Sequence, residues 1–189
     1  MEDNNNEMKR RLKEYFRTLL YILIIVAAVF VYNFLWDKGI QVATNLKLAD
    51  SAEGPYLVER VVDGDTIICD IDGEKVKVRM IGINTPESVA EDESRNCEEG
   101  VIASDYTKEL LDGEKVFLEY DEEKLDQYDR TLAYVYLSDG EMIESLLLEK
   151  GYATTMYREP NTKYADLFSE LMKKAKNNKE GFWGTGFYK

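Results

Sequence analysis

Histidine is absent from all 189 residues. That excludes Ser-His-Asp and Cys-His nucleophilic centres, histidine general bases, and most zinc and iron sites. Cysteine is nearly as scarce. Cys69 and Cys97 make no CxxC spacing, so no thiolate metal site or dithiol redox motif is present. Cys69 stands in an apolar strand pattern and reads as a small buried hydrophobe; the competing reading is a disulfide to Cys97 in an oxidising compartment. Net positive charge is also missing, with a formal charge of -13. Up to Gly54 there are seven Lys/Arg and seven Asp/Glu; taken from totals of 24 and 37, that leaves 17 basic against 30 acidic residues beyond it. Such a domain repels nucleic acid at long range. Carboxylates, arginines and tyrosines are left to carry any chemistry.

One long apolar run is present. No charge occurs from Thr18 to Trp36, and Leu19 to Trp36 as a helix would extend about 27 Å, close to the hydrocarbon thickness of a bilayer. The competing reading is a cleaved signal peptide, but the run exceeds a typical apolar signal core and no small-x-small site follows Trp36. Residues 18–36 are therefore expected to be an uncleaved, single-pass anchor in the lipid bilayer of the cell membrane. Lys9, Arg10, Arg11, Lys13 and Arg17 precede the run, while only Lys38 and Lys47 follow it before Pro55. The positive-inside rule thus puts residues 1–17 in the cytoplasm and the rest of the chain outside. Residues 37–54, polar and ending in Gly54-Pro55, read as a linker to a domain over 55–189.

That domain opens with three strand-like runs, Tyr56 to Val62, Asp65 to Ile71 and Glu74 to Ile81, the last two joined by the turn Asp72-Gly73. In the third, Val76, Val78 and Met80 face one way and Lys75, Lys77 and Arg79 the other. A helix is expected from about Gly100, with Gly113 beyond its end, then strands over Lys115 to Tyr120 and Thr131 to Leu137. Ile143, Leu146 and Leu147 mark a short helix ended by Gly151. Tyr164, Leu167, Phe168, Leu171 and Ala175 mark a longer one, with Asn161 or Thr162 as its cap. This order predicts an α+β fold: a five-stranded OB-type β-barrel with about three helices, preceded by one transmembrane helix.

Three local clusters carry the chemistry: Asp63-Gly64-Asp65-Thr66; Arg79 with Asn84-Thr85-Pro86-Glu87; and Asp126-Gln127-Tyr128-Asp129-Arg130. Alone, each has a plain structural reading, as a hairpin turn, a loop entry and a surface ion pair. Together they supply oxygen ligands for a hard cation, a carboxylate to activate water, and two arginines whose planar forks match phosphate oxygens.

In content, order and spacing these clusters, with Leu-Ala-Tyr-Val-Tyr after Arg130 and the late Phe-Trp, resemble the staphylococcal nuclease family over about Tyr56 to Trp183. The resemblance implies calcium-assisted hydrolysis of DNA and RNA to 3′-phosphate products. By it, Asp65, Asn84 and the Thr85 carbonyl ligate Ca2+, and Glu87 is the general base. Arg79 and Arg130 bind the scissile phosphate and stabilise the transition state, while Tyr128 and Tyr157 contact the terminal phosphate or base.

The chain also departs from that pattern. Asn84 replaces a second metal-binding aspartate, which lowers ligand charge and hence calcium affinity. Asp129 replaces a glycine, and the stretch from Glu87 to Gly100 is strongly acidic. A rival reading follows from these departures: a tethered OB-type module that binds nucleic acid or protein without cutting. No protein partner is inferable from the sequence.

Overall fold

The computed structural model describes residues 51–89, 94 and 96–189. The expected basic N-terminus, anchor and most of the linker lie outside the described residues. Among the described residues no helix is long and apolar enough to cross a membrane.

Five strands close into a barrel in the order β1-β2-β3-β6-β5, where β1 is Glu53–Asp63, β2 Thr66–Ile71, β3 Glu74–Met80, β5 Lys115–Glu119 and β6 Thr131–Tyr136. Four contacts around it are antiparallel, and β3 meets β6 in parallel through Arg79↔Leu132. Closure removes the sheet edges that would otherwise template aggregation. Between β3 and β5 lie β4 (Gly82–Asn84) and α1 (Glu98–Leu111); after β6 come α2 (Ile143–Glu149), β7 (Thr154–Met156), α3 (Ala165–Asn178) and α4 (Gly181–Thr185). The expected barrel is present, with α1 between its third and fourth strands.

Alternation along the strands fills the barrel. Val58, Ile67, Cys69, Val78, Val116, Leu118, Ala133 and Val135 are all completely buried, and α2 closes over them with Ile143, Leu147 and Leu148. Burying one such side chain is worth about 1.5–3 kcal/mol, so this layer supplies most of the drive for closure. Phe168 and Leu171 carry the buried stripe of α3.

Four details differ from the sequence reading. Strand β1 begins at Glu53, with Glu53 opposite Leu118 and Tyr56 opposite Val116, so Gly54-Pro55 lies within a bulged strand and not in a tether. The barrel ladder makes this possible by offering β5 as a partner. Neither Asn161 nor Thr162 caps α3, whose N-cap is Tyr164 without a side-chain cap bond. The Asn161 side chain instead holds the Glu123 backbone, its Oδ1 accepting from the amide and its Nδ2 donating to the carbonyl, both at 2.8 Å. The two-stranded β4-β7 sheet was not foreseen, because three-residue strands are too short to show periodicity. Cys69 and Cys97 are both free, so the disulfide is not formed; burial pushes the Cys69 thiol up to about 12.

Candidate active site

The site is built around Arg79. Its strand β3 pairs with β2 so that Arg79 stands opposite Thr66, one residue from the β1-β2 turn that carries Asp65. Lys75 and Lys77 on the same face are exposed, whereas Arg79 is only 6% exposed. A buried guanidinium needs its donors satisfied. Nη1 pairs with Asp65 Oδ2 at 2.9 Å and donates to the Met80 carbonyl at 3.2 Å. Nη2 donates to the Ile83 carbonyl at 3.0 Å and to Asn84 Oδ1 at 3.3 Å. The short strand β4 thus exists in register with an arginine that its own carbonyls embrace.

Asp65 is held from three sides, since the Thr85 amide also donates to Oδ2 at 2.9 Å and the Thr66 hydroxyl to Oδ1 at 3.1 Å. Asn84 Nδ2 donates to the Thr85 carbonyl at 3.2 Å. The three residues expected to hold a cation are therefore one connected group. Their donors are a carboxylate, an amide oxygen and a backbone carbonyl, all hard oxygens of the kind calcium takes. The group carries a single formal charge. Among the described residues no three acidic, histidine or cysteine side chains converge on a metal position. The donor set fits a hard cation such as calcium, held weakly because the group carries one charge. The buried Thr85 hydroxyl beside it has no hydrogen-bond partner.

Glu87 follows two residues after Thr85 and is half-buried. Its carbonyl accepts from the Cys97 amide at 3.1 Å, and helix α1 approaches so closely that a Cβ on Gly100 would lie 2.0 Å from that oxygen. Only glycine permits this contact. From the other side, Asp63 Oδ1 accepts from the Gly64 amide at 2.8 Å and from the Ser88 hydroxyl at 2.7 Å, joining the Asp65 turn to the Glu87 loop. The sequence offered Asp63 only as a turn residue; the bond across 25 positions was invisible there.

Arg130 arrives on the loop between β5 and β6. Asp126 shapes that loop: Oδ1 accepts from the amides of Tyr128 and Arg130, each at 2.9 Å, and Oδ2 pairs with Arg130 Nε at 2.7 Å. Burial alone would raise the Asp126 pKa, but these donors hold it below the ordinary carboxylate range. Asp129 takes a left-handed conformation at φ 58°, a conformation aspartate tolerates better than most residues. Tyr128 is 70% exposed, with Arg130 Cζ 5.6 Å from its ring centre.

Arg79, Tyr128 and Arg130 line one cavity of about 110 Å³, together with Met80, Ile81, Gly82, Glu123, Asp126, Leu132, Met156, Arg158 and Asn161. Asp65 and Asn84 lie behind it and touch it through Arg79. Thr85 and Glu87 are not among the lining residues either, Glu87 standing on the loop that follows β4. Tyr157 does not line the cavity, and its hydroxyl donates to the Ala165 carbonyl at 2.7 Å and lies 2.9 Å from Ser169 on α3. Alternation after β7 sends Met156 and Arg158 to the cavity and Tyr157 to the helix. Arg158 was missed because a lone arginine beside a tyrosine carries no sequence signal of its own.

Comparison with known proteins meets this geometry. Residues 77–185, more than half of the chain, match the family described as Staphylococcal nuclease homologue. The chain is 40% identical over 166 residues to the thermonuclease of Staphylococcus hyicus, covering 87% of this chain and 96% of that protein. It is 39% identical to the thermonuclease of Staphylococcus intermedius over 88% of this chain and 96% of that one. The endonuclease YncB of Bacillus subtilis is 38% identical over 69% of this chain and 62% of its own length. With the closed barrel, the two arginines in one cavity and the oxygen donors behind them, these relationships show that the chain belongs to the staphylococcal nuclease family.

Proposed function

We propose that the protein is a calcium-dependent nuclease that hydrolyses phosphodiester bonds of DNA and RNA to 3′-phosphate products, anchored by residues 18–36 with its domain outside the cytoplasm. The observation that carries the reading is the convergence of Arg79 and Arg130, 51 positions apart, on one cavity whose inner wall is backed by Asp65 and Asn84. The names thermonuclease and endonuclease borne by its relatives support the reaction class.

In this reading Arg79 and Arg130 grip the scissile phosphate and stabilise the charge that builds on it, which is worth more in a partly desolvated cavity than in water. Glu87 takes a proton from the attacking water as the bond from phosphorus to the 5′ oxygen breaks, and Arg130 assists the departing oxygen. Tyr128 offers its exposed ring and hydroxyl to the neighbouring nucleotide. Asp65, Asn84 and the Thr85 carbonyl would hold calcium, which when bound would supply further positive charge to offset that of the phosphate. The unpartnered Thr85 hydroxyl lies against the turn that orients Asp65 and keeps Gly64 as the only residue that fits there. An exterior location suits a shell of low charge, because extracellular calcium modules operate with dissociation constants of about 0.1 to 1 mM.

The test uses the full-length chain in mild detergent, with single-stranded DNA and RNA, in calcium or in EGTA. Cleavage in calcium, its loss in EGTA, and a fall of roughly 100-fold or more in kcat for Glu87→Gln are expected. Undiminished cleavage in EGTA or in that variant would sink the mechanism. Tight binding in calcium without cleavage would select the tethered binding module instead. For the topology, protease added to intact cells should digest the domain; protection would place it inside.

A further inference from the structure

Three of the five arginines after Gly54 line one cavity, in a stretch with 30 acidic and 17 basic residues. Two of them are committed. Arg79 is paired with Asp65, and Arg130 with Asp126. The third, Arg158, has no carboxylate within ion-pair distance among the described residues. An arginine without an ion pair among the described residues, at the wall of a cavity that holds two further arginines and the carboxylates of Glu123 and Asp126, is arranged for an anion that arrives from outside.

Arg158 is exposed, and its backbone is held in place. Arg158 and Asn161 form a bridged turn, the Asn161 amide donating to the Arg158 carbonyl at 3.0 Å. Asn161 is only 4% exposed, and its side chain clamps the backbone of Glu123, on the same loop that delivers Tyr128 and Arg130. Two part-buried hydrogen bonds therefore hold the Arg158 turn against the Arg130 loop. The cavity also presents exposed Tyr128 and Met156, surfaces suited to the nucleoside that separates one phosphate from the next.

We propose that Arg158 is a substrate-binding residue that grips the phosphate adjoining the scissile one, so that the enzyme favours strands with at least two consecutive phosphodiesters. The inference rests on reading the chain as a nuclease. It gives Arg158 a role in affinity and substrate length, separate from the two arginines that act at the reacting phosphorus.

The test compares the full-length chain with Arg158→Ala and Arg158→Lys on an oligothymidylate and on a dinucleoside monophosphate, which has a single phosphate. Dissociation constants for the labelled oligothymidylate in calcium are measured alongside. Arg158→Ala should raise both KM and Kd for the oligonucleotide by about tenfold and lower the salt-dependence slope by about one. Its kcat should stay within about twofold and its KM for the dinucleoside monophosphate should not move; Arg158→Lys should recover part of the loss. Unchanged KM and Kd, an equal rise on both substrates, or a fall in kcat alone would each overturn the proposal. Should the wild-type chain bind the oligonucleotide without cleaving it, the nuclease reading fails and the Kd comparison still decides the role of Arg158.

Discussion

Glu144 on α2 is completely buried, and both of its carboxylate oxygens face the Val135 amide, at 3.1 and 3.2 Å. Burial raises its pKa from 4.5 to about 8, against the weaker opposing pull of two backbone amides and of Arg79. A carboxyl that binds its proton more tightly when folded contributes nothing below its unfolded pKa and subtracts stability as pH climbs, until both states are ionised above about 8. At about 1.4 kcal/mol per pH unit the full loss is about 5 kcal/mol, of which about 3.5 kcal/mol falls between about pH 5 and pH 8. Glu144→Gln keeps the oxygen that accepts from Val135 and removes the ionisation. Denaturant unfolding followed by tryptophan fluorescence should show the two proteins diverging with rising pH, the variant gaining about 3.5 kcal/mol on the native sequence across that window. Any cost of seating the amide is pH-independent and cancels in the slope. Parallel stability curves across that window would refute the argument that this carboxyl is desolvated.

Three further outcomes are expected. Asn84→Asp should lower the calcium concentration for half-maximal cleavage, since it doubles the formal charge of the oxygen donors; a rise, or no change, would remove Asn84 from the calcium shell. Asp129→Gly should raise stability by about 0.5–1 kcal/mol, by relieving a left-handed residue at φ 58°, and lower KM by removing a negative charge beside Arg130. Urea midpoints and steady-state kinetics check the two effects separately. Gly100→Ala should cost about 1–3 kcal/mol and at least tenfold in kcat, because its Cβ would meet the Glu87 carbonyl at 2.0 Å; native stability together with native activity would show that the two backbones need not be so close.

Much of the barrel was legible in advance. Alternation in Val76 to Met80, the Asp72-Gly73 turn and the apolar spacing of α2 and α3 are local signals, and local signals survive in a linear reading. The resemblance was equally readable, because Asp65, Arg79, Glu87 and Arg130 fall within compact strings. Contacts between distant segments were not. The β4-β7 sheet, the bond from Asp63 to Ser88 and the clamp of Asn161 on Glu123 each depend on which surfaces closure brings together. Tyr157 was misplaced for a related reason. With Glu159-Pro160 breaking the pattern after a three-residue strand, no periodicity remained to tell which of Met156, Tyr157 and Arg158 faces the cavity.

The sequence by itself determined the chemistry on offer: no imidazole, one group of hard oxygen donors with low charge, and arginines set in an acidic chain. The tertiary structure alone decided how these are used. Lys75, Lys77 and Arg79 share one strand face, yet only Arg79 is buried, because β4 folds over it and supplies carbonyl acceptors for its donors. Arg130 and Arg158 are equally charged, yet among the described residues one is paired and the other is not, because Asp126 lies on the turn of the first and no described carboxylate lies within ion-pair distance of the second. Burial and pairing are properties of surfaces brought together by folding, and no residue carries them alone.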